Sequence, residues 1–425
     1  MASRSAGRRN GRIAWLRRSA LVHVRAGAIS RAAMATIFLI VFVDLVGFGL
    51  VIPLLPFYAV RFGATAPEVT WLLATYSLAQ FITAPLWGRL SDRIGRRPVL
   101  MASMAAAALA YVWLGAATDL WMLFAARAFA GACAGNIAAA QAYIADTTKP
   151  EERAHGMGMI GAAFGLGFIF GPAIGGFLAG SNPMTANLQS PAWVAAGLSV
   201  AALCGVLFLL RESLAPALRN TARPRGRLGM IRGALRRPVL SRLVTIFFLV
   251  TLAFAAMESI FALWALRQLD WGPERVGYAF AYLGLLSAIM QGGLTRRLTR
   301  RYGEEPLLSC GLVLLAAGLV VVPFASALPI LLAAFALLAF GLGLSQPALN
   351  SLISRHADSG EQGEVLGVTR SLGSLARVIG PPMAGYLFAD ISHSSPYFWA
   401  AVLVVGALAI GWSVPPLAVA SPPAE

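Results

Sequence analysis

Apolar runs long enough to cross a bilayer recur down this chain from about residue 35 to about residue 415, and few of the intervals between them are long enough to fold alone. A spanning helix requires roughly 20 consecutive apolar residues. Run length, read against turn and charge signals, places twelve spans near 35–58, 68–87, 99–117, 120–145, 157–179, 191–210, 241–266, 275–294, 307–325, 329–353, 365–389 and 396–415. With 58% hydrophobic residues, 12% charged residues and a mean hydropathy of +0.72, the composition lies outside the soluble range. These features predict an all-α membrane protein. The polar interval 211–240 divides the spans six and six, giving a basic tail 1–33, a six-helix bundle 34–210, a linker 211–240, a second bundle 241–415 and a tail 416–425.

The net charge of +16 is spread as short basic islands between apolar runs, so a nucleic-acid-binding domain is not expected. The islands follow the positive-inside rule. With the N-terminus in the cytoplasm, the inner segments hold eight arginines before Met34, four in 89–97, nine from Arg211 to Arg242 and four from Arg296 to Arg301. The outer loops hold only Arg61, Arg267 and Arg275. Both termini are therefore expected in the cytoplasm. Residues 1–33 lack the apolar core of a signal peptide; a cytoplasmic tail, a transit peptide and a true start at Met34 are the readings of that segment.

Two halves of equal size invite a search for a repeat. Residues 151–178 align with 360–387 at a constant shift of 209, bringing Gly158 onto Gly367, Gly171-Pro172 onto Gly380-Pro381 and Gly176 onto Gly385. The charged stretch "GRLSDRIGRRP" from Gly88 has a degraded echo in "TRRLTRRYGEEP", where anchoring Gly303 on Gly95 sets Arg300 opposite Asp92. Two pseudo-repeat bundles are the expected architecture.

Four motifs carry a family resemblance. "GRLSDRIGRRP" between spans two and three resembles the loop signature of the major facilitator superfamily. "RAFAGACAG" from Arg127 resembles its fourth-helix pattern, and "GFIFGPAIGG" from Gly167 resembles the fifth-helix signature of its drug:proton antiporters. "FVDLVGFGLVIPLLPFYA" from Phe42 is similar to the first helix of the tetracycline-efflux subfamily. The resemblance covers nearly the whole chain after Met34 and implies the major facilitator fold, alternating access and exchange of a small molecule for protons. It further implies that the loop motif, Gly88, Arg89, Asp92, Arg93, Gly95, Arg96 and Arg97, is a cytoplasmic gate in which Asp92 latches onto a helix of the opposite half. The seventh span departs from the subfamily by carrying Glu258.

Physical reasoning adds roles. Gly88 and Gly95 are expected to allow a very short turn between spans two and three. Asp44 lies about 14 Å into span one and Arg127 about 10 Å into span four from the other side, which brings them to similar depths. A lone charge there costs roughly 2.5 to 3.5 kcal/mol on insertion scales, so pairing or water access is expected. Asp44 and Arg127 are accordingly read as the proton-coupling pair, with a static ion pair as the alternative. Glu258 is a second protonation or cation-recognition site, or a structural partner of Arg370 and Arg377. Asp146 is read as a helix-end residue. Gly167, Gly171, Gly175 and Gly176 are expected to admit a close helix neighbour, and Pro172 to favour a bend. Polar or aromatic residues within spans nominate a substrate path through Tyr76, Gln80, Asn136, Gln141, Phe261, Trp264, Gln291, Gln346 and Asn350.

Enzymatic readings are weak. "GMGMIG" from Gly156 opens an apolar span with no preceding strand, and the sole lysine, Lys149, precedes proline, so no phosphate-binding GxxxxGK[ST] loop exists. Cys133, Cys204 and Cys310 and the four histidines show no metal or disulfide spacing. The expectation is a monomeric, non-enzymatic transporter in a bacterial inner membrane, driven by the proton gradient with no cofactor or metal, and exporting an amphiphilic compound. Uptake of a metabolite and a non-transporting receptor on the same scaffold are the alternatives.

Overall fold

The computed structural model describes residues 31–148, 153–214, 236–357 and 362–413. Most of both tails and residues 215–235 of the linker lie outside the described residues. Twelve long helical stretches cover the rest: α1 (Met34–Arg61), α2 (Ala66–Ile94), α3 (Arg96–Gly115), α4 (Leu120–Thr147), α5 (Arg153–Ala179), α6 (Gln189–Leu209), α7 (Pro238–Leu269), α8 (Pro273–Tyr302), α9 (Glu304–Val321), α10 (Leu328–His356), α11 (Gln362–Asp390) and α12 (Ser395–Trp412). Eleven are long and apolar enough to cross a membrane. The remaining one, α11, is 29 residues long, and Arg370 and Arg377 dilute its apolar character.

The pairing of helices repeats. In the first half α1 packs on α5 and α6, α3 on α6, and α2 on α4; in the second α7 packs on α11 and α12, α9 on α12, and α8 on α10. The halves meet through α5 on α8 and, by the same exchange, α2 on α11. Small residues explain these close approaches, since helices in lipid associate by packing where no side chain intervenes. A Cβ on Gly171 would stand 2.6 Å from Gly49 Cα of α1, and one on its repeat mate Gly380 would stand 2.8 Å from the Leu252 carbonyl oxygen of α7. Likewise a Cβ on Gly176 would meet Pro273 and Glu274 of α8, and one on Gly385 would meet Pro67 and Thr70 of α2. The shift of 209 read from sequence thus matches equivalent contacts in space.

Three helices depart from a plain rod. In α1, a 3₁₀ turn at Ile52–Leu54, which contains Pro53, joins the segments Arg31–Val51 and Leu55–Arg61, and Pro56 stands in the first turn of the latter. Helix α4 is two segments, Leu120–Ala132 and Asn136–Thr147, rather than the single run expected. A π-helical turn at Met290–Leu294 interrupts α8, which then continues through the arginine-rich stretch Thr295–Tyr302 that was expected to be loop.

The turn between α2 and α3 is shorter than expected. Helix α2 runs to Ile94, Gly95 alone reverses the chain at φ 110°, and α3 starts at Arg96. Gly88 therefore lies inside α2 with open space where a Cβ would be, and takes no part in the turn. Gly303, at φ 84°, makes the same reversal between α8 and α9.

At the helix ends opposite the arginine-rich loops, Arg267 donates to His393 Nε2 at 2.8 Å, because a guanidinium has nothing to accept with. Burial first, and the Arg267 charge second, hold His393 below the usual histidine range. A lowered folded-state value means that the stability contribution is complete above the ordinary value of about 6.5 and fades as pH falls below it. Wild-type protein should therefore lose more thermal resistance between about pH 7.5 and 5.5 than His393→Gln, measured by survival of monodisperse protein after heating.

Candidate functional site

Mid-membrane charge collects where α1, α2, α4, α7 and α11 meet. Asp44 is 7% exposed on α1 and accepts a hydrogen bond from Asn136 Nδ2. The break in α4 makes this possible: the chain turns at Cys133–Gly135, and Asn136 opens the next segment. Gly131 and Gly135 flank the break because neighbours press on them. A Cβ on Gly131 would fall 2.2 Å from the Tyr76 carbonyl oxygen, and one on Gly135 2.8 Å from the Trp87 ring.

Arg127 does not pair with Asp44, contrary to the depth argument. It is 5% exposed, its guanidinium lies 4.5 Å from the centroid of the Tyr76 ring, and its Nε has no hydrogen-bond partner among the described residues. Depth along a helix is legible in sequence; the direction a side chain takes around the axis depends on the break at 133–135, which is not. The Tyr76 ring separates the roles: it packs on Phe48 at 5.4 Å and feels the charges of Arg127, Asp44 and Arg377 together. Arg377, exposed on α11, is also the charge acting on Glu258 of α7. Arg377 was noted in sequence only as a structural partner, yet it belongs with the central cluster.

The nominated path residues divide. Tyr76, Gln80, Asn136, Gln141 and Gln346 are partly exposed, and Gln291 and Asn350 are exposed. Gln141 accepts from Arg370, a bond from α4 to α11 that crosses between the halves. Phe261 and Trp264 are corrections: at 0% and 1% exposure they belong to the packed core of the second half, where Phe261 contacts the rings of Trp264, Phe280 and Phe335. An aromatic residue within a span reads equally well as core or lining until its neighbours are known.

The loop motif forms a network inside its own half. Arg96 binds Asp92 at 2.5 Å, Asp146 at 2.8 Å and Ser91 at 3.1 Å. Glu212, just past α6, accepts from the Arg96 and Arg97 backbone N–H groups at 2.9 and 3.2 Å, where a helix N-terminus favours an anion. Arg97 donates to the Leu207 carbonyl at 2.7 Å. Sequence reading did not find Glu212. Arg89 and Arg93 are exposed. Asp92 therefore has its partner in its own half, and the expected latch to the other half is not made here. Contacts between the halves at the opposite end are made: Glu274 N donates to the Gly180 carbonyl at 3.3 Å, and Trp71 Nε1 to Tyr386 Oη at 3.4 Å. Arg96→Ala should strand Asp92 and Asp146 together; hydrogen bonds to charged groups are worth about 1.5 to 3 kcal/mol. A clear drop in heat resistance of purified protein is the expected result, larger than that of Arg89→Ala.

In the antiporter-like helix, Gly167, Gly171 and Gly175 face α1, while Gly176 and the Pro172 carbonyl face α8. A Cβ on Gly277 of α8 would lie 2.3 Å from that carbonyl oxygen. Helix α5 is thus wedged between its own half and the other, with backbone against backbone on both sides.

Two six-helix halves joined through two symmetry-related helix pairs, with ionisable groups between them at mid-span, describe a membrane transporter. The Major Facilitator Superfamily model matches residues 37–381. Tetracycline resistance protein class C of Escherichia coli is 34% identical over 85% of this chain and 90% of its own length. Multidrug resistance protein 2 of Bacillus subtilis (strain 168) is 29% identical over 87% and 93%. The crystal structure of the human organic anion transporter MFSD10 superposes with a TM-score of 0.71 at 26% identity, covering 90% of this chain and all of that one. The chain belongs to the major facilitator superfamily.

Proposed function

We propose that this transporter exports an amphiphilic small molecule across a bacterial inner membrane in exchange for protons, by alternating access, with the arginine-rich loops in the cytoplasm. The observation that carries the reading is Asp44: a buried carboxylate in a membrane span, bonded to a neutral amide and, among the described residues, without a basic partner. A carboxylate so placed is costly when charged and inexpensive when protonated, so its charge can follow the side to which it is open. A carboxylate locked to Arg127 would have stayed ionised on both sides.

The steps follow from that chemistry. Open to the low-pH side, Asp44 takes up a proton; open to the cytoplasm, it releases one as cargo enters beside Tyr76, Arg127, Arg377 and Glu258. Rocking of the halves about the α5–α8 and α2–α11 contacts exchanges the openings. One charge moved through about 100 mV yields about 2.3 kcal/mol, enough for a roughly fiftyfold cargo gradient. The names of the bacterial relatives support drugs, tetracycline among them, as cargo. Everted vesicles acidified inside should lose their pH gradient when a compound that is carried is added, and vesicles without the protein should not. A panel of amphiphilic drugs that leaves the gradient unchanged, with folded protein present, would count against export of such compounds.

The same reading gives Asp92 a moving role. When the cytoplasmic ends close, Asp92 leaves Arg96 for the opposite half. Asp92→Asn should therefore reach the membrane normally and lose most export, and wild-type flux in that variant would remove Asp92 from the cycle.

A further inference from the structure

The two halves treat one position differently. Anchoring Gly303 on Gly95, a shift of 208, sets Thr295 on Trp87, Arg300 on Asp92, Glu304 on Arg96 and Gly343 on Gly135. In the first half the Trp87 indole fills the space between α2 and α4, donating to the Ala132 carbonyl at 2.7 Å and lying against Gly135. In the second half Thr295 folds back onto the Met290 and Gly343 carbonyls at 2.9 Å each, and the thinner Met290 side chain, in place of an indole, lies against Gly343. A cavity of about 480 Å³ lies between α8, α9 and α10.

The lining charges are inverted as well. The acid–arginine–acid group Asp92, Arg96 and Asp146 has as its counterpart Arg300, Glu304 and Arg355, the last lying one residue past the position the shift gives for Asp146, with Glu304 bound to Arg355 at 2.9 Å and to Ser351 at 3.1 Å. Arg296 adds a further positive charge to the wall, with the hydroxyl of Thr299 beside it. Glu304 is satisfied by Arg355 and Ser351, and among the described residues Arg296 and Arg300 have no carboxylate partner. The cavity therefore holds an excess of positive charge and a volume within the range of small-ligand sites. Planar guanidinium groups suit phosphate oxygens, and basic pockets between helices on a cytoplasmic face hold acidic lipid headgroups.

We infer that this cavity is a binding site for a phosphate-bearing anion, supplied by the headgroup of an acidic phospholipid or by a free phosphate compound. The site lies apart from the Asp44 cluster and rests on the cytoplasmic orientation proposed above only for which leaflet or compartment supplies the ligand. Its test does not require transport.

Purified full-length protein would be titrated with inorganic phosphate, and separately placed in nanodiscs of phosphatidylcholine with and without phosphatidylglycerol, with bound lipid read by native mass spectrometry. Arg296→Ala with Arg300→Ala should weaken binding of at least one probe by about tenfold or more per arginine. Arg297→Ala with Arg301→Ala, which removes equal charge from the same helix outside the cavity, should leave binding unchanged. Thr295→Trp, which restores the plug of the first half, should also weaken binding with every arginine in place; if that variant does not fold, the arginine pairs still decide. Retention of phosphatidylglycerol without phosphate binding assigns the site to lipid, and the reverse assigns it to a soluble compound. Equal losses in the two arginine pairs, or no binding of either probe by folded wild-type protein at millimolar concentration, would overturn the inference.

Discussion

Asp44→Asn is expected to insert and fold normally, to keep exchanging cargo across the membrane, and to lose uphill export altogether. The substitution preserves shape and can still bond Asn136, so packing around α1 and α4 has little reason to change. What disappears is the only feature of that position that responds to a proton. Without it the roughly fiftyfold gradient that about 100 mV can sustain should fall to equal concentrations on both sides. Labelled cargo trapped inside proteoliposomes should still exchange with unlabelled cargo outside, at a rate within a few fold of wild type. The contrast between the assays is the informative part. Loss of both would indicate a folding or cargo-binding role for Asp44, and retention of both would place coupling elsewhere, with Glu258 the next residue to test.

Gly171→Ala should be a severely damaging single methyl group in the protein's fifth helix. Its Cβ would stand 2.6 Å from Gly49 Cα and 2.8 Å from Gly49 carbonyl carbon, both backbone atoms of a helix that cannot rotate away. Overpacking of this kind costs about 1 to 3 kcal/mol where side chains can yield, and here none is available to do so. Gly165→Ala on the same helix meets nothing within 4 Å, and relieving a mid-helix glycine is worth up to about 0.5 to 1 kcal/mol in the other direction. Heat survival in detergent should therefore fall for Gly171→Ala and hold or rise for Gly165→Ala, with export following the same order. Equal behaviour of the two variants would mean that α1 and α5 are not held backbone to backbone.

Much of the fold was legible because lipid imposes a length on every span. Even α11, whose Arg370 and Arg377 dilute its apolar character, was legible as a span by run length, and its Gly380-Pro381 repeats Gly171-Pro172 of α5. The repeat also paired Gly171 with Gly380 and Gly176 with Gly385, and the members of each pair make equivalent contacts. Azimuth and helix breaks were not legible. Asp44 and Arg127 share a depth, but the turn at Cys133–Gly135 gives Asp44 to Asn136 and leaves Arg127 on Tyr76. Gly88 was read as a turn residue because charges surround it, although α2 simply continues through it to Ile94. Glu212 escaped notice because its target is backbone N–H at the start of α3, and a backbone donor leaves no mark in sequence. Phe261 and Trp264 looked like path residues by type and depth, and their burial became visible only with Phe280 and Phe335 in place.

The central claim is that cargo and protons move in opposite directions. Proteoliposomes carrying a pH-sensitive dye inside, with a cargo gradient imposed and no other ion gradient, test it directly. Cargo leaving should acidify the interior, and cargo entering should make it alkaline, with both signals absent in Asp44→Asn. A pH change of the opposite sign would make the protein a symporter, and cargo movement with no pH change at all would contradict proton coupling.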